Sequence, residues 1–224
     1  MKKAGNVYLL LEFAILYLCL PFAIEYNLRT MRMPVIPVLL LAAMMCLGLL
    51  LRDSTFDRTR FWRMPVLRSE LRRILFRFAV VSALIVLAIV CLNRPSFLNL
   101  PRQHPVIWMV IMLLYPLFSV YPQELIYRAF LFQRYEPIMP TPATRIIASG
   151  AAFGLVHIVF GNSLAVVLSI LGGLLFAWTY HRTRSLAVVF FEHTLYGCCI
   201  FTVGLGGYFY HGTRWLTERV ANGG

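Results

Sequence analysis

Apolar runs of about twenty residues recur along nearly the whole chain, separated by short joints rich in Pro and charge. Runs of this length can cross the ~30 Å hydrocarbon core of a bilayer as helices. They predict spans at 6–24, 34–51, 74–93, 105–121, 122–138, 143–160, 163–180 and 185–208. Pro34, Pro37, Arg94-Pro95, Pro101, Pro137, Pro140 and Pro142 mark most of the joints. The expected architecture is all-α, a polytopic transmembrane bundle of about eight spans, with 1–224 forming one integral-membrane domain. No repeat or low-complexity tract interrupts it. Glycines at Gly172-Gly173 and Gly204–Gly207 follow no strand, so they read as close helix contacts rather than a nucleotide-binding turn. The small residues of Ser149–Gly154 have the small-x-x-x-small spacing that lets membrane helices approach closely.

The region 105–138 can be read in two ways. As one long span it gives seven helices and the stronger bias of basic residues to one side. Divided at Pro122 it gives eight, with both termini cytoplasmic. The polar groups favour division: with seven spans, Glu124 and His157 would sit ~20 Å apart in depth at 1.5 Å per residue. Isolated ionisable groups in hydrocarbon are costly, so convergence and eight spans are expected.

Composition agrees with the pattern: 60% hydrophobic, 13% charged and mean hydropathy +0.74 exclude an ordinary soluble domain. The net charge of +12 changes the picture only in its placement. Seven Arg lie between Arg52 and Arg73, against Asp53, Asp57 and Glu70. This is how a cytoplasmic loop looks under the positive-inside rule, and nucleic acid is not expected. Phe56, Phe61, Trp62 and Met64 interleave with these charges, which suggests contact with anionic lipid. Cys19, Cys46, Cys91, Cys198 and Cys199 fall in apolar segments without metal or disulfide spacing. Lys2 and Lys3 precede an apolar run without a small-residue cleavage site, so an uncleaved first span is expected.

Ionisable residues inside spans read by default as functional or internally paired. Glu124 and Arg128 are four apart and face each other on a helix. The pair is either an ion pair that orients the helix or part of a site whose carboxylate acts as base. His157 follows Phe153 by one turn, and that ring can fix the imidazole. His193 has Glu192 beside it, but helix neighbours diverge by ~100°. Gly197 lies one turn beyond His193 and leaves space without a donor. Glu12 has no evident local partner.

Three stretches, Gln123-Glu124-Leu125-Ile126-Tyr127-Arg128, Phe153-Gly154-Leu155-Val156-His157 and Glu192-His193-Thr194-Leu195-Tyr196-Gly197, occur in this order. They resemble the motifs of the CAAX-protease and bacteriocin-processing (CPBP, Abi) family of intramembrane proteases. Gln123 stands where that family usually has its first Glu, and Gly197 where Asn is commonest. The resemblance covers about 120–210. It implies a multi-pass protein of a bacterial inner membrane that hydrolyses a peptide bond of a membrane-associated protein or peptide. Carried over by position, His157 would activate water and His193 would supply an oxyanion donor. The first-Glu role falls on Gln123, whose amide orients water but takes no proton. Glu124 or Glu192 would then supply the base, and Glu124 is the expected one because it belongs to the matched motif. No cofactor is required, although zinc held by Glu124, His157 and His193 is chemically allowed. The alternative is a non-catalytic member, a membrane peptide-binding or bacteriocin-immunity protein. A proton or ion transporter would also want buried Glu and His, but the repeated halves typical of one are not evident.

Overall fold

The computed structural model describes residues 2–31 and 35–209, all of whose regular structure is helical. The expected span start at Pro34 and the expected cytoplasmic C-terminal segment 210–224 lie outside the described residues. Seven helices among the described residues are long and apolar enough to cross a membrane. They are α1 (Gly5–Asn27), α2 (Val35–Arg52), α3 (Met64–Leu92), α4 (Pro105–Arg134), α5 (Pro142–Phe160), α6 (Ser163–Thr183) and α7 (Leu186–Val203). The chain is thus a multi-pass membrane protein built as an all-α bundle.

The count turns on α4, which passes Pro122 without dividing. Proline lacks an N–H and its ring crowds the carbonyl four residues earlier. Here a π-helical stretch, Pro116–Val120, widens the turn immediately before that position, and a second one occupies Leu125–Phe130. Such widening absorbs the proline and keeps one axis. Glu124 then lies ten residues before Arg134, and His157 fifteen residues after Pro142. At 1.5 Å per residue these are depths of ~15 and ~22 Å from the shared end. Seven helices therefore accommodate the polar cluster, and the division at Pro122 is unnecessary.

The core gathers on the second half of α4 and on α5–α7, while α1–α3 and the first half of α4 present large apolar side chains outward, as lipid-facing helices do. Connections of two residues join α5 to α6 and α6 to α7. Thr141, Asn162 and Ser185 cap the three helices by accepting Thr144, Ala165 and Val188 N–H at 3.2, 2.8 and 3.4 Å. Glycines line the α5–α6 contact and let the two backbones approach closely. A Cβ at Gly173 would come 2.9 Å from the Gly150 carbonyl oxygen, and one at Gly154 would reach the Ile170 backbone nitrogen at 3.0 Å. The small-residue spacing thus holds the His157 helix against its neighbour as expected.

Polar residues concentrate at one end of the bundle. Arg134 pairs with Glu12 at 2.8 Å and Tyr135 Oη donates to the same carboxylate at 3.0 Å, so Glu12 has its partner across the bundle. Gln133 donates to Asp53 and accepts from Arg60, and Arg182 reaches Glu70 at 3.1 Å. The basic segment after Arg52 is more ordered than a surface loop. From Met64 onward it is already helix, and Phe56 is buried against Phe61 with Arg60 over its ring. Of the four interleaved apolar residues, only Trp62 and Met64 are exposed.

Candidate functional site

The adjacent α7 residues Glu192 and His193, both buried, make ionic contacts on different sides of that helix. Adjacent residues on a helix point ~100° apart, and His193 and Glu192 do so here. His193 Nδ1 lies 2.8 Å from Glu124 Oε1 on α4, while Glu192 pairs with Arg77 on α3. Arg77 also donates to Thr179 Oγ1 at 3.1 Å and stacks over Trp178. Glu192 is therefore turned away from Glu124 and serves the α3–α7 contact.

Glu124 and Arg128 are both 0% exposed and meet as the i,i+4 spacing predicts, with Arg128 Nε 3.2 Å from Glu124 Oε2. Their contact lacks hydrogen-bond angles, which leaves Oε2 with free acceptor capacity. The guanidinium is held by its surroundings: it lies over Phe153 at 4.8 Å and Phe176 at 5.9 Å, and Nη1 donates to Ser149 Oγ at 3.2 Å. Ser149 in turn donates to the Tyr127 carbonyl at 2.7 Å. Arg128 Nε and Nη2 have no hydrogen-bond partner among the described residues. A buried network left partly unsatisfied in a low-dielectric interior costs stability, and is the pattern expected where water or a ligand completes it.

The imidazoles are fixed by their Nδ1 atoms. His157, at the start of the final 3₁₀ turn of α5, has Nδ1 2.6 Å from the Phe153 carbonyl. A carbonyl only accepts, so Nδ1 carries the hydrogen and Nε2 keeps a lone pair. His193 Nδ1 likewise donates to the Glu124 carboxylate, a partner that sets the tautomer and the orientation of the ring. The His193 ring stacks on Phe176 at 4.5 Å and meets Phe153 edge-on at 5.4 Å. Phe153 also lies 4.7 Å from the His157 ring. So Glu124 contacts both Arg128 and His193, and His157 is one aromatic ring away from His193. His157 and His193 are 7% and 5% exposed.

Gln123 faces along α4, its Nε2 donating to Ser119 Oγ at 2.9 Å while its buried Oε1 has no partner among the described residues. Gly197 packs against Tyr115, whose hydroxyl lies 3.4 Å from His193 Nε2. Among the described residues no three His, Cys, Asp or Glu side chains are arranged to hold a metal ion.

Sequence reasoning missed Tyr115, Ser149, Phe176 and Arg77. Arg77 carried the same signal as Glu124, an ionisable residue in an apolar span. The others carried none, since aromatic and small residues occur throughout these helices.

The fold and this cluster define a class: a multi-pass helical membrane protein with a carboxylate, an arginine and two oriented imidazoles inside its core. Over residues 104–199, which include all of the motif positions, the chain matches the Rce1-like family, described as Type II CAAX prenyl endopeptidase Rce1-like. That is the resemblance the three motifs carry, and families of this kind are generally proteases. No curated protein and no solved structure matches the chain.

Proposed function

We propose that the protein is an intramembrane endopeptidase that cuts a peptide bond of a membrane-associated protein or peptide with water activated by imidazole. The observation that carries this reading is the pair of buried imidazoles, each oriented through Nδ1 so that Nε2 is available, around one carboxylate. Peptide hydrolysis needs a base for water, stabilisation of the oxyanion and a proton for the leaving amine. His157 Nε2 removes a proton from water as its oxygen bonds to the scissile carbonyl carbon. The C–N bond then breaks, and the proton passes from His157 to the amine. Glu124 holds the His193 ring in place, and Arg128 offsets its charge. With one oxygen on His193 and the other against Arg128, Glu124 acts through His193 rather than as the primary base. The reading needs no metal.

The basic end of the bundle is proposed to face the cytoplasm of a bacterial inner membrane, where exposed Trp62, Met64 and the arginines around them would rest on anionic lipid. A second reading, a peptide-binding or immunity protein, is favoured by Gln123, a neutral amide already bonded to Ser119. Purified protein in lipid nanodiscs, incubated with candidate membrane peptides and assayed by mass spectrometry, tests both. Cleavage abolished by His157→Ala and by Glu124→Gln supports the protease. Wild type that binds a peptide without cutting, with cleavage appearing in Gln123→Glu, supports the second reading and refutes the first.

A further inference from the structure

Tyr115 reaches the buried cluster from the first half of α4, and its place there is made by Gly197. A Cβ on residue 197 would collide with the tyrosine ring and hydroxyl, so the glycine leaves the volume that the hydroxyl fills. The ring is clamped by Phe201 at 5.2 Å and meets the His193 ring edge-on at 6.5 Å. Its hydroxyl sits 3.4 Å from His193 Nε2. That contact is longer than the ~2.7–2.8 Å usual for a hydroxyl donor, so little is lost when the hydrogen turns elsewhere.

The hydrogen matters because of how His193 is held. Its Nδ1 hydrogen is given to Glu124, and in the neutral ring Nε2 then bears only a lone pair. Such a ring cannot donate to an oxyanion from Nε2, the role expected of it from sequence. The Tyr115 O–H, beside that atom, does not depend on the ring's protonation.

On the protease reading given above, we propose that Tyr115 is a further catalytic residue, its hydroxyl donating a hydrogen bond to the scissile carbonyl oxygen as that oxygen becomes an oxyanion. Tyrosine remains protonated throughout and forms no covalent bond. Gly197 is the complementary requirement, because any side chain there displaces the donor.

The test measures kcat and KM for a peptide that wild type cleaves in nanodiscs. Tyr115→Phe removes only the hydroxyl, and loss of an oxyanion donor lowers kcat by about 10²–10³-fold, with KM and folded yield near wild type. A rescue guards against a purely structural effect. Residue 197 lies one turn from His193 on the same face. Tyr115→Ala with Gly197→Asn therefore frees the volume and presents an amide donor from α7, and kcat should rise at least tenfold over Tyr115→Ala alone. Tyr115→Phe that keeps kcat within threefold, while Glu124→Gln abolishes cleavage, overturns the role of Tyr115 and leaves the protease reading standing. Wild type that cleaves nothing overturns both.

Discussion

Replacing Arg128 with alanine should be the most damaging single change in the bundle. Glu124 and Arg128 are fully buried, 3.2 Å apart, in a chain whose surroundings there are Phe153, Phe176 and Ser149. Removing one partner of such a pair leaves an uncompensated charge and typically costs ~3–5 kcal/mol. The cation–π contacts with two rings add about 0.5–2 kcal/mol of loss. Against a stability of ~5–15 kcal/mol this is a large fraction, so Arg128→Ala should show low folded yield and a sharply lowered Tm. Neutralising the survivor should reverse much of the damage. Glu124→Gln in the Arg128→Ala background removes the stranded charge, so the double variant should be more stable than Arg128→Ala. Thermal unfolding by size-exclusion recovery in detergent, run as a double-mutant cycle, reads both effects. If Arg128→Ala melts within a degree or two of wild type, or if adding Glu124→Gln lowers Tm further, the ion pair does not stabilise the fold as argued.

Three other outcomes follow from the geometry. Glu192→Gln should weaken the α3–α7 contact and lower Tm while leaving the cleavage rate of the folded fraction within a few-fold of wild type; loss of activity equal to that of Glu124→Gln would put Glu192 in the site after all. Gly173→Val should destabilise by ~1–3 kcal/mol, since its Cβ would come 2.9 Å from the Gly150 carbonyl, and an unchanged Tm would show that α5 and α6 separate freely. Hydrogen bonds from the Thr55 hydroxyl and backbone, together with Gln133, hold the Asp53 carboxyl below its ordinary value of 3.8. A lowered folded-state pKa gives stability that is complete above pH ~4 and lost as pH falls through the folded value. Asp53→Asn should therefore flatten the acid limb of Tm against pH, and an unaltered limb would assign it to other carboxylates.

Most of the helices and the Glu124–Arg128 pair were legible in the sequence, because both depend on local spacing. Twenty-residue apolar runs have one stable form in hydrocarbon, and residues four apart on a helix meet wherever the helix goes. The contact between α5 and α6 was legible for the same reason, since glycine spacing sets how near a neighbour can come. Depth was not. Whether Pro122 ends a helix depends on whether the turn before it can widen, and the neighbours that stabilise the π-helical stretches come from other elements. The same limit applies at His193. The sequence made Glu192 its neighbour, but the rotation of α7 in the packed bundle gave His193 to Glu124 and Glu192 to Arg77. Tyr115 was invisible for a further reason: its place beside His193 exists only because a glycine eighty-two residues later leaves room for it. Sequence determined which groups are too polar to be left alone in the membrane. Only tertiary packing decided which of them meet, because partners are chosen by helix rotation and depth, and no local pattern encodes either.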